Sequence, residues 1–133
     1  MRLIALAPAA LLLTLGACAT TGGDNVSAPP SWFNASGPAF EGWARVDGDE
    51  IRLYETRHDP ARGFPSDCVS AALPRPAQET ARDVSGRKVR ITGRAVAWAD
   101  RDGGETWNWQ GSRIANLCSR DIIILGDRIE VLQ

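Results

Sequence analysis

Beyond residue 38, hydrophobic and polar residues alternate along short stretches separated by residues typical of turns. Alternation with a period of two is the pattern of a β-strand with one buried face. The stretches 40–46 and 51–54 flank Asp47-Gly48, a dipeptide that tolerates the positive φ angles of a tight hairpin turn. A β-hairpin is therefore predicted, with one core face and one outer face. The core face carries Phe40, Ala44, Val46, Ile51 and Leu53, and the outer face carries Arg45, Arg52 and Tyr54.

The other apolar stretches predict further strands and one short helix. The clearest strand prediction covers 87–98, and Gly93 in its middle is typical of a bulge or of the sharp bend that closes a small barrel. Residues 77–84 are rich in good helix formers and lie between Pro76 and Gly86, so a short helix is predicted there. Shorter strands are predicted at 106–112, 114–118, 122–125 and 128–132, and a surface loop at 57–66. Short strands at this spacing are typical of a mainly β sandwich or barrel.

Two of these segments resemble strands of the OB fold, a small five-stranded barrel. The run Gly86-Arg87-Lys88-Val89-Arg90-Ile91-Thr92-Gly93 resembles the long bent strand of that fold, and 122–132 resembles its late strands. The resemblance covers about 46 residues. It implies a small OB-like barrel. OB domains bind oligonucleotides or oligosaccharides on one barrel face in many families and are purely structural in others, so the resemblance does not settle the function.

The N-terminus has the layout of an export signal. Arg2 is the only charged residue among the first 23, and the thirteen residues from Leu3 to Leu15 are almost entirely apolar. This run is shorter than the ~20 residues that a membrane-spanning helix needs. The sequence Leu15-Gly16-Ala17-Cys18 that ends it resembles the lipobox of bacterial lipoproteins. An ordinary secretory signal or a buried apolar segment, with Cys18 incidental, is the alternative.

The lipobox resemblance implies cleavage before Cys18 and acylation of Cys18. Two or three acyl chains, at about 0.8 kcal/mol per buried methylene, hold a protein on a membrane durably. Lipoproteins retained in the inner membrane typically carry Asp after the cysteine, and this chain has Ala19. The resemblance therefore implies a lipid anchor in the outer membrane, and we expect the domain to face the periplasm.

Three segments are expected on this basis. Residues 1–17 form the signal peptide, and residues 18–38, which are rich in Gly, Pro, Ser and Thr, form a lipidated N-terminus and a flexible tether. Residues 39–133 form one small domain, whose core is thin without a covalent staple.

The two remaining cysteines predict that staple. With Cys18 assigned to lipid, Cys68 and Cys118 form an even pair in a compartment where disulfides persist. A bond between them closes a loop of about 51 residues and is worth about 4 kcal/mol in the chain-entropy model. A redox-active or metal-binding pair is the alternative, but the spacing is unlike Cys-x-x-Cys and His58 is the single histidine.

The charge balance argues against nucleic acid as a partner. Removing Arg2 with the signal peptide leaves 14 of the 15 basic residues against 16 acidic ones. Phosphate backbones and anionic lipid surfaces are recognised through clustered positive charge, which this weakly acidic chain lacks overall.

Five tryptophans provide the candidate binding residues. Trp98, Trp107 and Trp109 fall within twelve residues, and exposed indoles on a β surface stack on sugar rings or hold the apolar anchor of a partner. Arg94 or Arg113 would add contacts to carboxylate groups of the partner. The alternative is that Trp107 and Trp109 point into the core, and the scarcity of Phe and Met favours it.

Neither metal binding nor catalysis has a strong motif. Asp100-x-Asp102-Gly-Gly-Glu105 and the turn with Asp47, Asp49 and Glu50 resemble calcium loops, but turn chemistry explains both, and no metal or cofactor is predicted. His58 is the only natural general base near neutrality, and the chain has no Gly-x-Ser-x-Gly or Cys-His signature around a nucleophile.

The sequence thus predicts a non-catalytic binding module for an envelope protein or glycan. An inhibitor of a secreted hydrolase such as lysozyme is one alternative, because small disulfide-bonded β-barrel lipoproteins include such inhibitors, although their characteristic loop motif is missing here. A small hydrolase that uses His58 is the other.

Overall fold

A computed structural model of the protein describes residues 25–57 and 67–132. The predicted signal peptide, Cys18 and His58 lie outside these residues. Within them the chain forms seven strands, one α-helix and a 3-10 helix at Trp98–Asp100. The elements are β1 Ala39–Asp47, β2 Glu50–Tyr54, β3 Val69–Ala72, α1 Arg75–Thr80, β4 Lys88–Ala97, β5 Trp107–Trp109, β6 Ser112–Ile114 and β7 Ile122–Val131. No helix in the described part of the chain is both long and apolar enough to span a bilayer.

Five of the strands close a barrel in the order β1-β2-β3-β7-β4, with β4 pairing back to β1. The pair β3–β7 is parallel, and the other four pairs are antiparallel. Strands β5 and β6 form a separate two-stranded sheet. The prediction of a mainly β, OB-like barrel with one short helix is confirmed.

The predicted hairpin is the β1–β2 pair. Asp47 pairs with Glu50, so the loop is Gly48-Asp49, and Gly48 has the positive φ of 61° that this first loop position requires. The predicted core face is confirmed, because its side chains lie in the main hydrophobic cluster or pack against it. Tyr54, predicted on the outer face, is nevertheless buried. A later segment of the chain covers it.

The long strand β4 bends where the sequence predicts. The register against β7 shifts between Thr92 and Gly93. A Cβ at Gly93 would lie 2.2 Å from the carbonyl oxygen of Leu125, so only glycine lets the two backbones approach this closely.

The bounds of several predicted strands and of the predicted helix were wrong. Strand β7 runs unbroken through Gly126-Asp127, where the sequence predicts a turn, because Gly126 packs against Ile91 and Leu73. The helix spans 75–80 rather than 77–84. The chain leaves the helix at Ala81, and the side chains of Ala81 and Val84 are buried in the core. The predicted strands 106–112 and 114–118 are instead the short β5–β6 hairpin followed by a turn.

Residues 25–38 lie on the barrel, although the sequence predicts a tether up to residue 38. Trp32 donates a hydrogen bond from Nε1 to the carbonyl oxygen of Asp67 at 2.9 Å, and Phe33 stacks on Phe40 with ring centroids 5.1 Å apart. Ser27 forms a parallel bridge with Arg120. The structured part of the chain therefore begins before Ala39, since these aromatic groups have core surface to pack against.

Candidate functional site

The long connection between β4 and β7, residues 98–121, folds back over the outer face of β2 and β3. On these two strands Ile51, Leu53 and Val69 point into the barrel, so the neighbouring positions point outward. The outward side chains Glu50 and Ser70 are nevertheless only 2% and 0% exposed. We call residues 98–109 of the connection the cleft half and residues 112–121 the clamped half.

The carboxylate of Glu50 holds the clamped half in place. It accepts hydrogen bonds from the backbone N–H groups of Ala115, Asn116 and Leu117 at 2.7–2.9 Å, and from the hydroxyl of Ser70 at 2.9 Å. A buried carboxylate is stable only with such partners, and a fully satisfied polar cluster of this kind fixes one conformation. The sequence places Glu50 in an acidic turn; the structure shows that it pairs with Asp47 at the end of that turn, begins β2 and is buried.

A disulfide bond ties the same segment to β3. Cys68 and Cys118 are bonded, with their Cα atoms 5.5 Å apart, so the predicted pairing is confirmed. The bond packs with Tyr54 and the half-buried Trp43. Burial raises the pKa of the Tyr54 hydroxyl above its usual value of 10.0, and nearby Arg52 opposes this shift.

The covered face is the one that OB domains use for their ligands. In that fold, oligonucleotides and oligosaccharides bind on strands 2 and 3 and on the loops beside them. Here Ile114 packs with Ala72 on that face, and Cys118 and the Glu50 hydrogen bonds complete the cover. The connection therefore covers this outer face, and it also forms a cleft of its own.

The cleft half contains an open cleft of about 270 Å³, which we call the Trp107 cleft. Its lining combines one aromatic ring with carboxylate, amide and hydroxyl groups. The lining residues are Asp100, Asp102, Gly103, Thr106, Trp107 and Asn108. Asp100, Asp102 and Asn108 are exposed, whereas Trp107 is half-buried against the cluster that contains Trp98 and Ile114.

Arg101 shapes the loop that forms one wall of this cleft. Its guanidinium lies 4.4 Å above the ring of Trp98 and donates to the carbonyl oxygens of Trp98 at 3.0 Å and of Gly104 at 2.8 Å. Gly103 and Gly104 have φ values of 75° and 77°, a region that side chains strongly disfavour. The wall is therefore built by local contacts of the cleft half.

The three tryptophans singled out from the sequence have different surroundings. Trp98 is a core residue, only 4% exposed. Trp109 is half-buried, donates from Nε1 to the carbonyl oxygen of Gly126 at 2.7 Å, and lies 5.2 Å below the guanidinium of Arg94. Trp107 alone of the three lines the cleft.

The two candidate arginines do not line the Trp107 cleft. Arg94 is exposed and stacks on Trp109. Arg113 is exposed on β6 opposite Asn108, and it shares the outer side of the β5–β6 hairpin. The structure therefore brings Trp107 together with Asp100 and Asp102 rather than with arginines.

The acidic residues in the described part of the chain are not grouped as metal ligands. Among the described residues no three His, Cys, Asp or Glu side chains are placed to share a metal ion. Asp47 instead forms an ion pair with Arg52 across the hairpin. Ser70 is a buried β3 residue whose hydroxyl donates a hydrogen bond to Glu50.

Comparison with known protein families, with characterised proteins and with solved structures finds no match. The features that bear on function are therefore the lipobox-like sequence at the N-terminus and the geometry of the Trp107 cleft.

Sequence reasoning missed Glu50 and the polar residues Thr106 and Asn108. Alternation along β2 does place Glu50 on the outward face, where a charged residue is ordinary. Glu50 becomes a buried hydrogen-bond acceptor only because residues 115–117 fold over that face and donate their backbone N–H groups to it. Asn108 alternates with Trp107 and Trp109 in the sequence, which predicts the opposite face of the strand and so does not indicate a cleft shared with Trp107.

Proposed function

We propose that this protein is an outer-membrane lipoprotein, anchored through Cys18, whose barrel is a non-catalytic binding module for a glycan of the cell envelope. The observation that carries the proposal is the Trp107 cleft, in which an indole lies among carboxylate, amide and hydroxyl groups. We propose that the domain faces the periplasm.

The chemistry of the cleft suits a sugar. One face of a pyranose is apolar and stacks on an indole, while its hydroxyl groups need hydrogen-bonding partners at the ring edge. Trp107 supplies the first, and Asp100, Asp102 and Asn108 supply the second. The volume of about 270 Å³ lies just below the ~300–1,000 Å³ of pockets for drug-sized ligands, so the cleft suits a single sugar residue of a chain.

The exposure of the carboxylates favours binding over hydrolysis. Glycosidases use two carboxylates, one of which is kept protonated by an apolar environment so that it acts as a general acid. Asp100 and Asp102 are both exposed to solvent. We therefore assign them to hydrogen bonding with the ligand, and we expect no release of sugar during prolonged incubation.

Co-sedimentation with insoluble peptidoglycan tests the glycan proposal. The full chain in detergent is mixed with peptidoglycan as isolated and after chemical N-deacetylation. We expect binding to at least one form and its loss in Trp107→Ala. Trp43→Ala, which removes an indole outside the cleft, is the matched control and should bind as the parent does. Absence of binding to both forms, or equal binding by Trp107→Ala, would contradict the proposal.

Two substitutions test the anchor. In Cys18→Ala we expect no incorporation of labelled palmitate and loss of the protein from the membrane fraction. In Ala19→Asp we expect retained label but a shift from the outer to the inner membrane on density gradients. Palmitate labelling of Cys18→Ala would contradict lipidation at this residue.

A second candidate function is suggested by Leu117. This side chain is 52% exposed, at a turn closed by a 2.9 Å hydrogen bond from Ser119 N to Asn116 O and held by Glu50. A rigid, exposed apolar group is suited to a pocket on a partner protein such as a secreted hydrolase. Lysozyme activity should then fall with micromolar parent protein and be restored with Leu117→Asp. Full lysozyme activity in the presence of the parent would exclude inhibition of that enzyme.

A further inference from the structure

The Trp107 cleft has a strong local charge in a chain that is close to neutral. Residues 98–110 carry Asp100, Asp102 and Glu105 against the single cation Arg101, a local net charge of −2. The whole chain has a formal net charge of only −1. This segment is thus locally negative, and two of its three carboxylates line the cleft.

Arg101, the cation within this segment, donates hydrogen bonds to backbone carbonyl groups of the same segment. Arg101 donates to Trp98 and Gly104 and stacks on the ring of Trp98. No ion pair joins Asp100 or Asp102 to a cation of the described residues. Both carboxylates therefore remain available to a positively charged group of a ligand.

We propose that the Trp107 cleft selects an amino sugar whose amine is free, that is, one that carries an ammonium group instead of an acetamido group. This inference rests on the proposed function and names its ligand class. A sugar amine that enters the cleft comes close both to the indole of Trp107 and to exposed carboxylates.

Each of these groups attracts an ammonium ion. Tryptophan is the side chain that binds a cation best through its ring face. Asp100 and Asp102 add charge-assisted hydrogen bonds to the ammonium protons. Acetylation removes the charge and two of the N–H donors, so an N-acetylated sugar keeps only the stacking and hydroxyl contacts.

Calorimetric titration of the full chain in detergent, at about pH 6 where a sugar amine is protonated, tests this inference. The probes are the glucosamine tetramer, the N-acetylglucosamine tetramer and tetralysine. We expect the glucosamine tetramer to bind about tenfold more tightly than its acetylated form, from the sum of one cation–π contact and two exposed ion pairs. The preference should shrink in about 1 M salt, where the Debye length is about 3 Å.

Substitution of the carboxylates locates the effect. Asp100→Asn and Asp102→Asn should each weaken binding of the glucosamine tetramer about two- to fivefold. They should weaken binding of the acetylated tetramer less, because the amide oxygen of asparagine still accepts hydrogen bonds from sugar hydroxyl groups. Asp83→Asn removes an exposed carboxylate outside the cleft and is the control, with no expected change.

The outcomes separate this inference from the proposed function. Equal affinity for both tetramers, with loss in Trp107→Ala, would overturn the amino-sugar inference and support glycan binding. Tetralysine binding as tightly as the glucosamine tetramer would overturn the inference too, because charge alone would then suffice. No binding of either tetramer, together with no binding to peptidoglycan, would overturn both proposals.

Discussion

The two halves of the connection between β4 and β7 are held to the barrel in different ways. The clamped half is fixed by a disulfide bond and by a buried carboxylate that accepts four hydrogen bonds. The cleft half is shaped by Arg101 and two left-handed glycines, and its polar side chains at Asp100, Asp102 and Asn108 are exposed.

Along one segment, polar contacts that fix the backbone are thus separated from exposed polar side chains. The polar groups that hold the clamped half, Glu50 and Ser70, are buried and bond within the protein. In the cleft half, the carboxylates of Asp100 and Asp102 are exposed and form no ion pair with the described residues. The same connection therefore covers the outer face of β2 and β3 and forms the Trp107 cleft.

Removing the disulfide bond of the clamped half should change the stability of the protein most. The double variant Cys68→Ser/Cys118→Ser should lose about 4 kcal/mol in the free energy of unfolding, because its unfolded state is no longer constrained by a loop of about 51 residues. Urea denaturation of the oxidised parent and the variant measures this difference. A loss below about 1 kcal/mol would show that the clamped half does not depend on the bond.

Replacing the buried carboxylate is the next largest change. Glu50→Gln should lower the free energy of unfolding by about 2–3 kcal/mol, because an amide nitrogen cannot accept the backbone hydrogen bonds that the carboxylate accepts. Glu105→Gln, on the exposed cleft half, is the matched control and should change the free energy by less than about 0.5 kcal/mol. Similar losses in both variants would remove the distinction between the two halves.

The two tryptophans of β5 should differ in how much they stabilise the protein, although they lie in one strand. Trp109→Phe should cost about 1–2 kcal/mol, because it loses the hydrogen bond to Gly126 and weakens the contact with Arg94. Trp107→Phe should cost less, since the Trp107 indole donates no hydrogen bond within the described residues. Thermal unfolding of both variants tests the order, and the reverse order would make Trp107 a structural residue.

The smallest effect is expected for the cleft carboxylates. Asp100→Asn/Asp102→Asn should change the free energy of unfolding by less than about 0.5 kcal/mol, because both side chains are exposed and form no ion pair with the described residues. Urea denaturation checks this value. A loss of about 2 kcal/mol or more would assign these residues to folding rather than to a ligand.

Features that depend on local pattern or on residue type were predictable from the sequence. The β1–β2 hairpin follows from alternation around Asp47-Gly48, and the bend of β4 follows from Gly93. The disulfide follows from the two cysteines that remain once Cys18 is assigned to lipid. Each of these predictions needs only neighbouring residues or a count.

Features that depend on distant contacts were not predictable in the same way. Gly126 is followed by Asp127 in the sequence, which predicts a turn, but it lies within β7 because Ile91 and Leu73 pack against it. The role of Glu50 depends on backbone N–H groups more than 60 residues away in the chain. The Trp107 cleft could be anticipated as a cluster of tryptophans and carboxylates, but not which indole would line it.

Indole N–H resonances in an NMR spectrum of the full chain test the central claim most directly. Trp98 is buried, whereas the indole N–H groups of Trp32 and Trp109 are bonded to Asp67 and Gly126. On titration with the glucosamine and N-acetylglucosamine tetramers we expect the Trp107 signal, assigned through Trp107→Phe, to move most with at least one of them. No movement of this signal with either tetramer, or a larger movement of another indole, would contradict a ligand site at the Trp107 cleft.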